Sequence, residues 1–402
     1  MIPNTQWSQK TLGELLIFTG GSQPPLSVFS KVEHEGYIRL IQIRDYKTEK
    51  YTTYIPKDLA RRFCNADDIM IGRYGPPIFQ ILRGLEGAYN VALIKVTPKH
   101  NILKDFAWHF LRNDRLFKHI DKLSRRTSGQ TGVDLNELES YPIFLPDLAE
   151  QEKIAQALTD ADNYISALEK LIEKKKQIKE GLMVNLLTGK QRLKEFAYHE
   201  DGTAKGYKDS ELGKIPEDWN ICILDQVVKL INGRAYALHE WEQAGVPVIR
   251  LQNLTGTGED YYYSNIKLPE KNYCYKGDVL FMWSASFGPY IWQGEKAIFH
   301  YHIWKIETLN NVDKYFIYHT LNLITQELKR SASSGGTMLH LTKTFMDKLT
   351  IILPSHEEQV AISNTLNDID KELELIDKKL TKAISIKQGM MQKLLTGEIR
   401  FA

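Results

Sequence analysis

Two long stretches of the chain place apolar residues along a repeating seam. The seam positions of the first stretch are Ile154, Leu158, Ile165, Leu168 and Ile172. Those of the second stretch are Ile362, Leu366, Leu373, Ile376 and Leu380. With Ala161 and Ile369 included, the steps alternate between four and three residues, which is the spacing of helices that pack in a coiled coil. We therefore predict a long helix over 150–187 and a second over its counterpart, each about 57 Å long.

Beyond these positions the apolar pattern changes phase. Lys175 and Lys179 occupy the next seam positions. Such a stutter unwinds a supercoil locally and predicts a second apolar face on each helix. The residues expected on that face are Ile178, Leu182 and Leu186 in the first stretch, and Ile386, Met390 and Leu394 in the second.

The two stretches are copies of each other. Every position from Leu145 to Arg192 has a counterpart 208 positions later without a gap, and upstream the match continues with small shifts, as between Trp7 and Trp219. The chain is therefore a tandem duplication. We predict a variable domain at 1–148, a long helix at 149–190, a linker at 191–214, a second variable domain at 215–356 and a second long helix at 357–402.

A helix with such a seam needs a partner that covers it. If a twofold axis relates the copies, the two helices run antiparallel and pack against each other. The alternative is that each helix covers only its own domain. Because both copies carry the same seam, we favour the intramolecular coiled coil.

The variable domains have the pattern of mixed α/β structure. Runs typical of strands occupy 36–43, 88–96 and 297–306, and helical patterns follow at 105–123 and 313–329. The expected fold class is α+β, with two mixed α/β domains related by pseudo-twofold symmetry and joined by two long antiparallel helices that form a coiled coil.

Composition narrows the class of protein only slightly. The net charge of +2 is nearly balanced, so any nucleic-acid contact must depend on local charge. Cys64, Cys222 and Cys274 lack the spacing of metal ligands and are expected to be free, buried thiols. The sequence shows neither an apolar leader nor a stretch long enough to span a membrane, and we expect a cytoplasmic protein.

The sequence lacks several motifs of catalysis. It has no Gly-x-x-x-x-Gly-Lys-Ser/Thr phosphate loop, no Gly-x-Gly-x-x-Gly turn and no Asp/Asn-Pro-Pro-Tyr/Phe box of the amino-methyltransferases. His300 and His302 have no acidic or cysteine neighbour, so we interpret them as alternate positions on a strand face and not as metal ligands. Asp147 with Glu173 and Lys175 resembles a nuclease signature only weakly. We expect a chain that holds no metal.

A Ser/Gly/Thr-rich loop in each copy suits contact with a nucleic acid. Small residues let backbone amides approach phosphates, which the neighbouring basic residues neutralise. A flexible surface loop is the alternative. The candidates are Arg125, Arg126, Ser128, Gly129, Gln130, Thr131 and Asn136 in the first copy, and Arg330, Ser334, Gly335, Gly336, Thr337, His340 and Lys343 in the second.

A second group of candidates lies where predicted strands end. Arginine, glutamine and asparagine form bidentate hydrogen bonds with guanine or adenine, although ordinary turn polarity is an alternative. We interpret Arg39 and Arg250 as structural ion-pair partners. The candidates are Gln42, Arg44, Arg73 and Tyr74 in the first copy, and Gln252, Asn253, Trp283, Ser284 and Ser286 in the second.

Four motifs together are specific to one family. They are Tyr-Lys-Asp-Ser-Glu-Leu-Gly-Lys-Ile-Pro-Glu-Asp-Trp at 207–219, Leu-Pro-x-x-x-Glu-Gln at 145–151 and 353–359, the Gly-Thr loops, and the Leu-Leu-Thr-Gly helix ends. With them, essentially the whole chain resembles the specificity subunits of type I restriction–modification systems. The first copy departs from the pattern at its start, where 2–7 has only Ile-Pro-x-x-x-Trp.

The resemblance implies two target-recognition domains that each bind one half of a bipartite, asymmetric site on double-stranded DNA, with the helices setting the distance between the halves. It also implies that two methyltransferase subunits dock on the helices and that motor or endonuclease subunits join through them. S-adenosylmethionine would belong to the methyltransferase, which modifies adenine N6, and ATP and magnesium to the motor subunit. The resemblance further implies that this chain is not itself catalytic, which agrees with the missing motifs, and that it holds no cofactor. A two-armed adaptor that binds no DNA is the main alternative.

Overall fold

The chain divides into two compact units. The computed structural model describes residues 7–124, 132–258, 260–284, 287–333 and 341–401. Unit 1 comprises Met1–Glu169 together with Lys378–Ala402, and unit 2 comprises Lys170–Asp377. Each unit therefore combines residues from both copies of the repeat.

Unit 1 contains a mixed α/β domain. Its short helices are α1 (Leu12–Leu15), α2 (Lys104–Leu111), α3 (Asp114–Ser124) and α4 (Leu135–Ser140). Its strands are β1 (Ser8–Thr11), β2 (Leu16–Gly20), β3 (Tyr37–Ile41), β4 (Tyr54–Pro56), β5 (Phe63–Cys64), β6 (Ile69–Gly72), β7 (Gln80–Leu82), β8 (Gly87–Tyr89), β9 (Leu93–Pro98) and β10 (Pro142–Leu145).

Unit 2 repeats this composition. The first long helix, α5 (Leu148–Leu187), begins in unit 1 and ends in unit 2. The strands that follow are β11 (Tyr207–Ser210), β12 (Gly213–Pro216), β13 (Asn220–Ile223), β14 (Val228–Asn232), β15 (Val246–Ile249), β16 (Tyr262–Ser264), β17 (Tyr273–Cys274), β18 (Val279–Met282), β19 (Gly288–Ile291), β20 (Ala297–Phe299), β21 (Ile303–Thr308) and β22 (Thr350–Leu353). The helices are α6 (Leu251–Thr255), α7 (Lys314–Ser333) and α8 (Lys343–Asp347), and the second long helix, α9 (His356–Leu394), begins in unit 2 and ends in unit 1.

Each unit holds two four-stranded sheets with matching strand orders. In unit 1 the orders are β2-β9-β6-β7 and β4-β3-β8-β5, and in unit 2 they are β14-β21-β18-β19 and β16-β15-β20-β17. The chain passes from one sheet to the other between β8 and β9, and between β20 and β21. We call these connections, residues 90–92 in unit 1 and 300–302 in unit 2, the switch turns. The predicted fold class of two repeated, mixed α/β domains with long helices is confirmed.

Two strand predictions are corrected by the positions of the switch turns. A single strand over 88–96, or over 297–306, is wrong, because each stretch is two strands that belong to different sheets. Apolar residues alternate on both sides of the turn, so the pattern could not show the break. His300 and His302 consequently lie in a turn and not on a strand face, which corrects their interpretation as well.

One helix prediction is also corrected. The helix predicted over 105–123 is two helices, α2 and α3, whereas the one over 313–329 is the single helix α7. Asn113 lies at the break, and its side-chain oxygen accepts a hydrogen bond from the Arg115 N–H at 2.7 Å. An asparagine in this position stabilises the start of a new helix.

The long helices run antiparallel in each unit. Lys179 of α5 contacts Asp370 of α9 in unit 2. Lys175, which is earlier on α5, contacts Glu372, which is later on α9, so the two helices run in opposite directions. In unit 1, Asp162 of α5 pairs with Lys387 of α9. The ten predicted seam residues all face inward. Ile154, Leu158, Leu168, Ile362, Leu366 and Ile376 are buried, and Ile165, Ile172, Leu373 and Leu380 are half-buried.

The seams also cover the domains themselves. Ile154 and Leu158 lie in the core of unit 1 with Trp7, and the end of α9 reaches the same core through Leu394. Unit 2 repeats this packing, since the first seam residues of α9 share a core with Trp219 and with the end of α5. Each helix therefore covers its own domain with its first seam residues and contacts the other long helix further along.

The first residues of the expected second apolar face are exposed. Ile178 is 45% exposed and Ile386 is 53% exposed. Lys175 and Lys179 stay on the seam because Glu372 and Asp370 of α9 pair with their ammonium groups. The buried seam resumes at Met183.

The stretch predicted as a linker, 191–214, contains regular structure. Its end forms an antiparallel hairpin in which Tyr207 of β11 pairs with Pro216 of β12. Across the described ranges, no helix has both the length and the apolar character needed to cross a bilayer.

Candidate nucleic-acid interface

Several chain segments of unit 1 meet at its switch turn. The Asn90 N–H donates to the carbonyl of Ile41, the last residue of β3, at 3.1 Å. The Arg73 N–H, directly after β6, donates to the Ala92 carbonyl at 2.8 Å. The Arg73 carbonyl accepts from the Val133 N–H at 3.0 Å, which ties the segment after the Ser/Gly/Thr-rich loop to the same place. The ends of β3 and β6 and the exit of that loop are thus neighbours.

Unit 2 repeats this backbone arrangement. The His300 N–H donates to the carbonyl of Ile249, the last residue of β15, at 2.9 Å. The Trp283 N–H, directly after β18, donates to the His302 carbonyl at 3.2 Å. We refer to the residues around each turn as the edge, which comprises 42–44, 73–74 and 90–92 in unit 1 and 250–253, 283–284 and 300–302 in unit 2.

The candidates on the edge of unit 1 differ in how free their side chains are. The Gln42 amide donates to the Thr53 hydroxyl at 3.1 Å, so it supports the turn that follows β3. Arg44 is more available: its side chain is 52% exposed and its guanidinium lies over the ring of Tyr51. The guanidinium of Arg73 lies 5.4 Å from the ring centre of Tyr74, and both residues are half-buried.

Arg39 and Arg250 have different surroundings. Arg39 forms an ion pair with Glu49 at 3.5 Å, as expected of a structural residue. The Arg250 guanidinium instead lies over the rings of Tyr262 and Trp241, with the nearer ring centre at 5.1 Å. Such a cation–π contact holds the guanidinium in place while its hydrogen-bond donors remain usable.

The asparagine and tryptophan candidates of unit 2 act as supports. The Asn253 carbonyl oxygen accepts from the Arg250 N–H at 2.9 Å, and its amide donates to the Asp260 carbonyl at 3.0 Å. Trp283 donates its indole N–H to the Tyr301 carbonyl at 2.9 Å. The polar groups of both side chains are therefore engaged within the unit. Gln252 and Ser284 are half-buried beside them.

An aromatic cluster on the edge of unit 2 was missed from the sequence. Trp241 lies between the rings of Tyr236 and Tyr262, at centroid distances of 4.8 and 4.7 Å, and its ring also stacks on His300 at 6.2 Å. Burial and the nearby His302 and Arg250 lower the pKa of His300 to about 4, so its imidazole is neutral at pH 7. Scattered tyrosines and tryptophans near 236–262 were the only signal, and it has no periodicity.

The remaining candidates fall into two groups. Arg125, Arg126, Ser128, Gly129, Gln130, Thr131, Ser286, Ser334, Gly335, Gly336, Thr337 and His340 lie outside the described residues. Of the others, Asn136 is exposed on α4, Arg330 of α7 pairs with Glu180 of α5 at 3.2 Å, and Lys343 pairs with Asp347 one turn along α8 at 2.6 Å. Within the described ranges, no group of three histidine, cysteine or acidic residues could hold a metal ion.

The repeated Glu-Gln motif joins each long helix to its domain. Glu150 accepts a hydrogen bond from the indole N–H of Trp7 at 2.9 Å, and Glu358 accepts one from Trp219 at 2.8 Å. The buried Gln151 amide accepts from the Leu103 N–H at 2.8 Å, at the start of α2. These contacts explain the motif as structural.

Comparison with known proteins places these features in one family. The family model described as "Type I restriction modification DNA specificity domain" matches residues 4–180 and 216–385. The chain is 27% identical to the Type I restriction enzyme MjaVIII specificity subunit of Methanocaldococcus jannaschii, over 98% of this chain and 93% of that one.

Solved structures show the same fold. The S subunit of the type I restriction–modification system from M. genitalium aligns with a TM-score of 0.59 at 16% identity, over 98% of this chain and 97% of that one. A chain from work on complex assembly and conformational transition of the type I R-M system aligns with a TM-score of 0.57 at 16% identity, over 99% and 100% of the two chains. Because the family model matches most of both copies, the chain belongs to the type I restriction–modification DNA specificity family.

Proposed function

We propose that each edge binds one half of a bipartite, asymmetric target on double-stranded DNA. The observation that carries this proposal is that one backbone scaffold, repeated in both units, presents different side chains. The two switch turns make equivalent hydrogen bonds to the preceding strands, yet they carry Asn-Val-Ala in unit 1 and His-Tyr-His in unit 2. A shared scaffold with divergent side chains suits two related DNA surfaces with different base sequences.

The arginines on the edges supply the chemistry for base recognition. A guanidinium forms two parallel hydrogen bonds with O6 and N7 of guanine, the commonest specific contact in the major groove. Arg73 in unit 1 and Arg250 in unit 2 are each positioned by an aromatic ring. A guanidinium held in this way loses little side-chain freedom on binding, which favours specific over nonspecific contact.

The nearly balanced charge of the chain provides little net attraction to the phosphates of the DNA backbone. Its net charge is +2, and phosphate contacts supply most of the sequence-independent affinity of DNA-binding proteins. We infer that partner subunits provide much of the positive surface. The salt dependence of binding should accordingly be steeper for the complex than for the isolated chain, and equal slopes would contradict this inference.

Two methyltransferase subunits are proposed to dock on the long helices. Ile178 and Ile386 occupy equivalent positions in the two copies, and both are about half exposed. A Cβ built on either nearby glycine, Gly181 or Gly389, would have no neighbour within 4 Å, so another protein could approach both helices closely. We call each exposed isoleucine with its neighbouring glycine a helix patch. Two equivalent helix patches support the docking of two copies of the same subunit.

The chemistry is proposed to belong to the partners. The sequence lacks the amino-methyltransferase box and the phosphate loop. S-adenosylmethionine would then be held by the methyltransferase, and ATP with magnesium by a motor subunit. This chain would supply recognition and positioning and would not itself be catalytic.

Mapping methylated adenines tests the DNA-binding proposal. The complete chain is produced with its methyltransferase in cells that lack other adenine methyltransferases, and the methylated motif is sequenced. We expect Arg73→Ala to relax the base preference in one half of the motif and Arg250→Ala to relax it in the other. Arg83→Ala is the matched control, because this arginine pairs with Asp105 and lies over Trp108 on α2.

The same experiment distinguishes the DNA-binding proposal from the adaptor alternative. A two-armed adaptor that binds no DNA predicts that Arg73→Ala and Arg250→Ala leave the motif unchanged. A motif altered in both halves by one substitution would contradict the assignment of one half to each unit.

The stoichiometry of the complex tests the docking proposal. Native mass spectrometry should detect two methyltransferase copies with the wild-type chain and one copy with either Ile178→Asp or Ile386→Asp. Leu26→Asp is the control, since Leu26 is 71% exposed and distant in sequence from both helices. Two copies retained in both helix variants would rule out these patches.

A further inference from the structure

An exposed apolar side chain occupies the middle of each switch turn. Val91 is 45% exposed and Tyr301 is 40% exposed. Isolated apolar residues on a surface are ordinary, but these two stand at equivalent positions of the two copies and in the centre of both edges. We propose that Val91 and Tyr301 contact the bases directly and determine specificity, each in the half of the target that its unit binds. This inference rests on the proposed function.

The backbone of the turn in unit 2 is fixed from both sides. The Tyr301 N–H donates to the Arg234 carbonyl at 3.1 Å, and the Tyr301 carbonyl accepts from the indole of Trp283 at 2.9 Å. The Ile303 N–H closes the turn by donating to the His300 carbonyl at 2.9 Å. Tyr301 thus projects from a turn that is already ordered, and binding requires little further ordering of the backbone.

The switch turn of unit 1 is held by hydrogen bonds to Asn90. The side-chain oxygen of Asn90 accepts from the Ala92 N–H at 3.2 Å, and the Asn90 carbonyl accepts from the Leu93 N–H at 3.0 Å. Val91, between them, has a β-branched side chain that strongly prefers few rotamers. Its two methyl groups are therefore presented in a defined direction.

The chemistry of the two side chains identifies what they contact. Val91 offers only methyl groups, and the apolar feature of a base pair is the 5-methyl group of thymine, which is exposed in the major groove. Tyr301 offers the wider apolar surface of an aromatic ring. Its ring packs against those of His302 and His300, at centroid distances of 3.9 and 4.5 Å, which hold it in place. We call Val91 and Tyr301 the apex residues. Both are assigned to apolar contact with thymine, and the arginine of the same edge is assigned to guanine.

Truncation of the apex residues tests the assignment in the complete chain with its methyltransferase. We expect Val91→Ala to reduce discrimination at least tenfold at one or two adjacent positions in one half of the methylated motif, with the other half unchanged. Tyr301→Ala should do the same in the other half. The affected wild-type positions should hold A·T pairs, and a G·C pair at those positions would overturn the thymine contact.

Two controls match the exposure of the apex residues at sites away from the turns. Ile17 is 49% exposed and pairs with Thr97, near the end of β9 that is distant from the turn. Tyr275 is 40% exposed and follows Cys274, which pairs with the first residue of β20. Ile17→Ala and Tyr275→Ala should leave the motif unchanged. Val91→Thr keeps the size of the side chain but replaces one methyl group with a hydroxyl, so it should reduce discrimination even if Val91→Ala folds poorly. Tyr301→Phe keeps the apolar ring and should leave the motif unchanged, and a changed motif would show that the hydroxyl makes the contact.

The outcomes separate this inference from the function on which it rests. If Arg73→Ala and Arg250→Ala alter the motif while all apex variants leave it unchanged, the role of Val91 and Tyr301 is overturned and the proposed function stands. If the arginine variants also leave it unchanged, the proposed function itself fails. If the controls relax the motif as strongly as the apex variants, the turn has no special role.

Discussion

Arg400 donates two hydrogen bonds to the carboxylate of Glu150, which lies 250 positions earlier in the chain, at 3.0 Å from Nε and 2.7 Å from Nη2. In unit 2, Arg192 makes the same two contacts with Glu358. Each arginine ends one copy of the repeat, and each glutamate begins the long helix of the other. The copies therefore exchange their ends, which a duplication seen only in sequence does not reveal.

Loss of Arg192 should destabilise the protein strongly. The Glu358 side chain is 1% exposed and that of Arg192 is 5% exposed. Arg192→Ala leaves the carboxylate buried without its cation, and we expect the free energy of unfolding to fall by about 3–5 kcal/mol. Urea denaturation followed by tryptophan fluorescence measures this.

Arg400→Ala provides the internal comparison. Its partner Glu150 is 7% exposed, but Arg400 itself is 38% exposed, so water can replace part of the lost contact. The loss should be clearly smaller than for Arg192→Ala. Equal losses would contradict the argument from burial.

Two buried histidines should make the protein sensitive to mild acid. Burial lowers the pKa of His109 and of His319 from 6.5 to about 4. Below pH 6.5 the unfolded chain therefore binds more protons than the folded chain. The free energy of unfolding is highest above that pH with respect to these two groups, and it decreases as the pH falls towards 4. Since one pKa unit corresponds to about 1.4 kcal/mol, each histidine contributes roughly 3 kcal/mol to this loss.

Substitution of the histidines checks the pH dependence. His109 contacts the hydroxyl of Thr159 and His319 the side-chain oxygen of Asn367, and glutamine can preserve one such hydrogen bond. His109→Gln and His319→Gln should each flatten the fall in urea midpoint between pH 6.5 and 4. The exposed His34→Gln should leave the slope as it is. A wild-type midpoint that stays constant over this range would refute the prediction.

The cysteines should differ in reactivity. Burial raises the pKa of the Cys64 thiol to about 11 and that of Cys274 to about 12, whereas Cys222 is only half-buried. Thiolate is the reactive form, so a thiol reagent at pH 8 should label Cys222 first and the other two only on unfolding. Rapid labelling of Cys274 in the native protein would contradict its burial.

The long helices were predictable because their signal is local and repeated. All ten seam residues, from Ile154 to Leu380, face inward as the spacing predicted. The sequence did not show how Lys175 and Lys179 are accommodated on the seam, because their acidic partners lie on the other helix. Pairing between residues nearly 200 positions apart has no signature in a single sequence.

The edges were predictable only in part, for a related reason. Arg73 and Trp283 were both predicted as candidates at strand ends, and the structure gives them equivalent backbone hydrogen bonds. The switch turns were hidden because the apolar alternation of two short strands continues across them. The cluster around Trp241 joins the β14–β15 connection, β16 and the switch turn, which are far apart in the sequence. Whether the predicted loop residues contact DNA stays a prediction.

A glycine beside the switch turn should be essential for its geometry. A Cβ on Gly233 would lie 2.2 Å from the His300 carbonyl oxygen and 2.4 Å from that of Phe299. Gly233→Ala must therefore displace the turn. We expect a loss of about 1–3 kcal/mol in the free energy of unfolding, together with relaxed base preference in the half of the target bound by unit 2.

Gly389→Ala should have the opposite effect on stability. Gly389 lies within α9, and a Cβ there would meet nothing within 4 Å. Because alanine favours a helix by about 1 kcal/mol over glycine, this variant of the isolated chain should be more stable than the wild type. Urea denaturation of both variants, with the methylated motif mapped for Gly233→Ala, tests the pair. A Gly233→Ala protein with wild-type stability and an unaltered motif would show that the position of the switch turn is not what selects the bases.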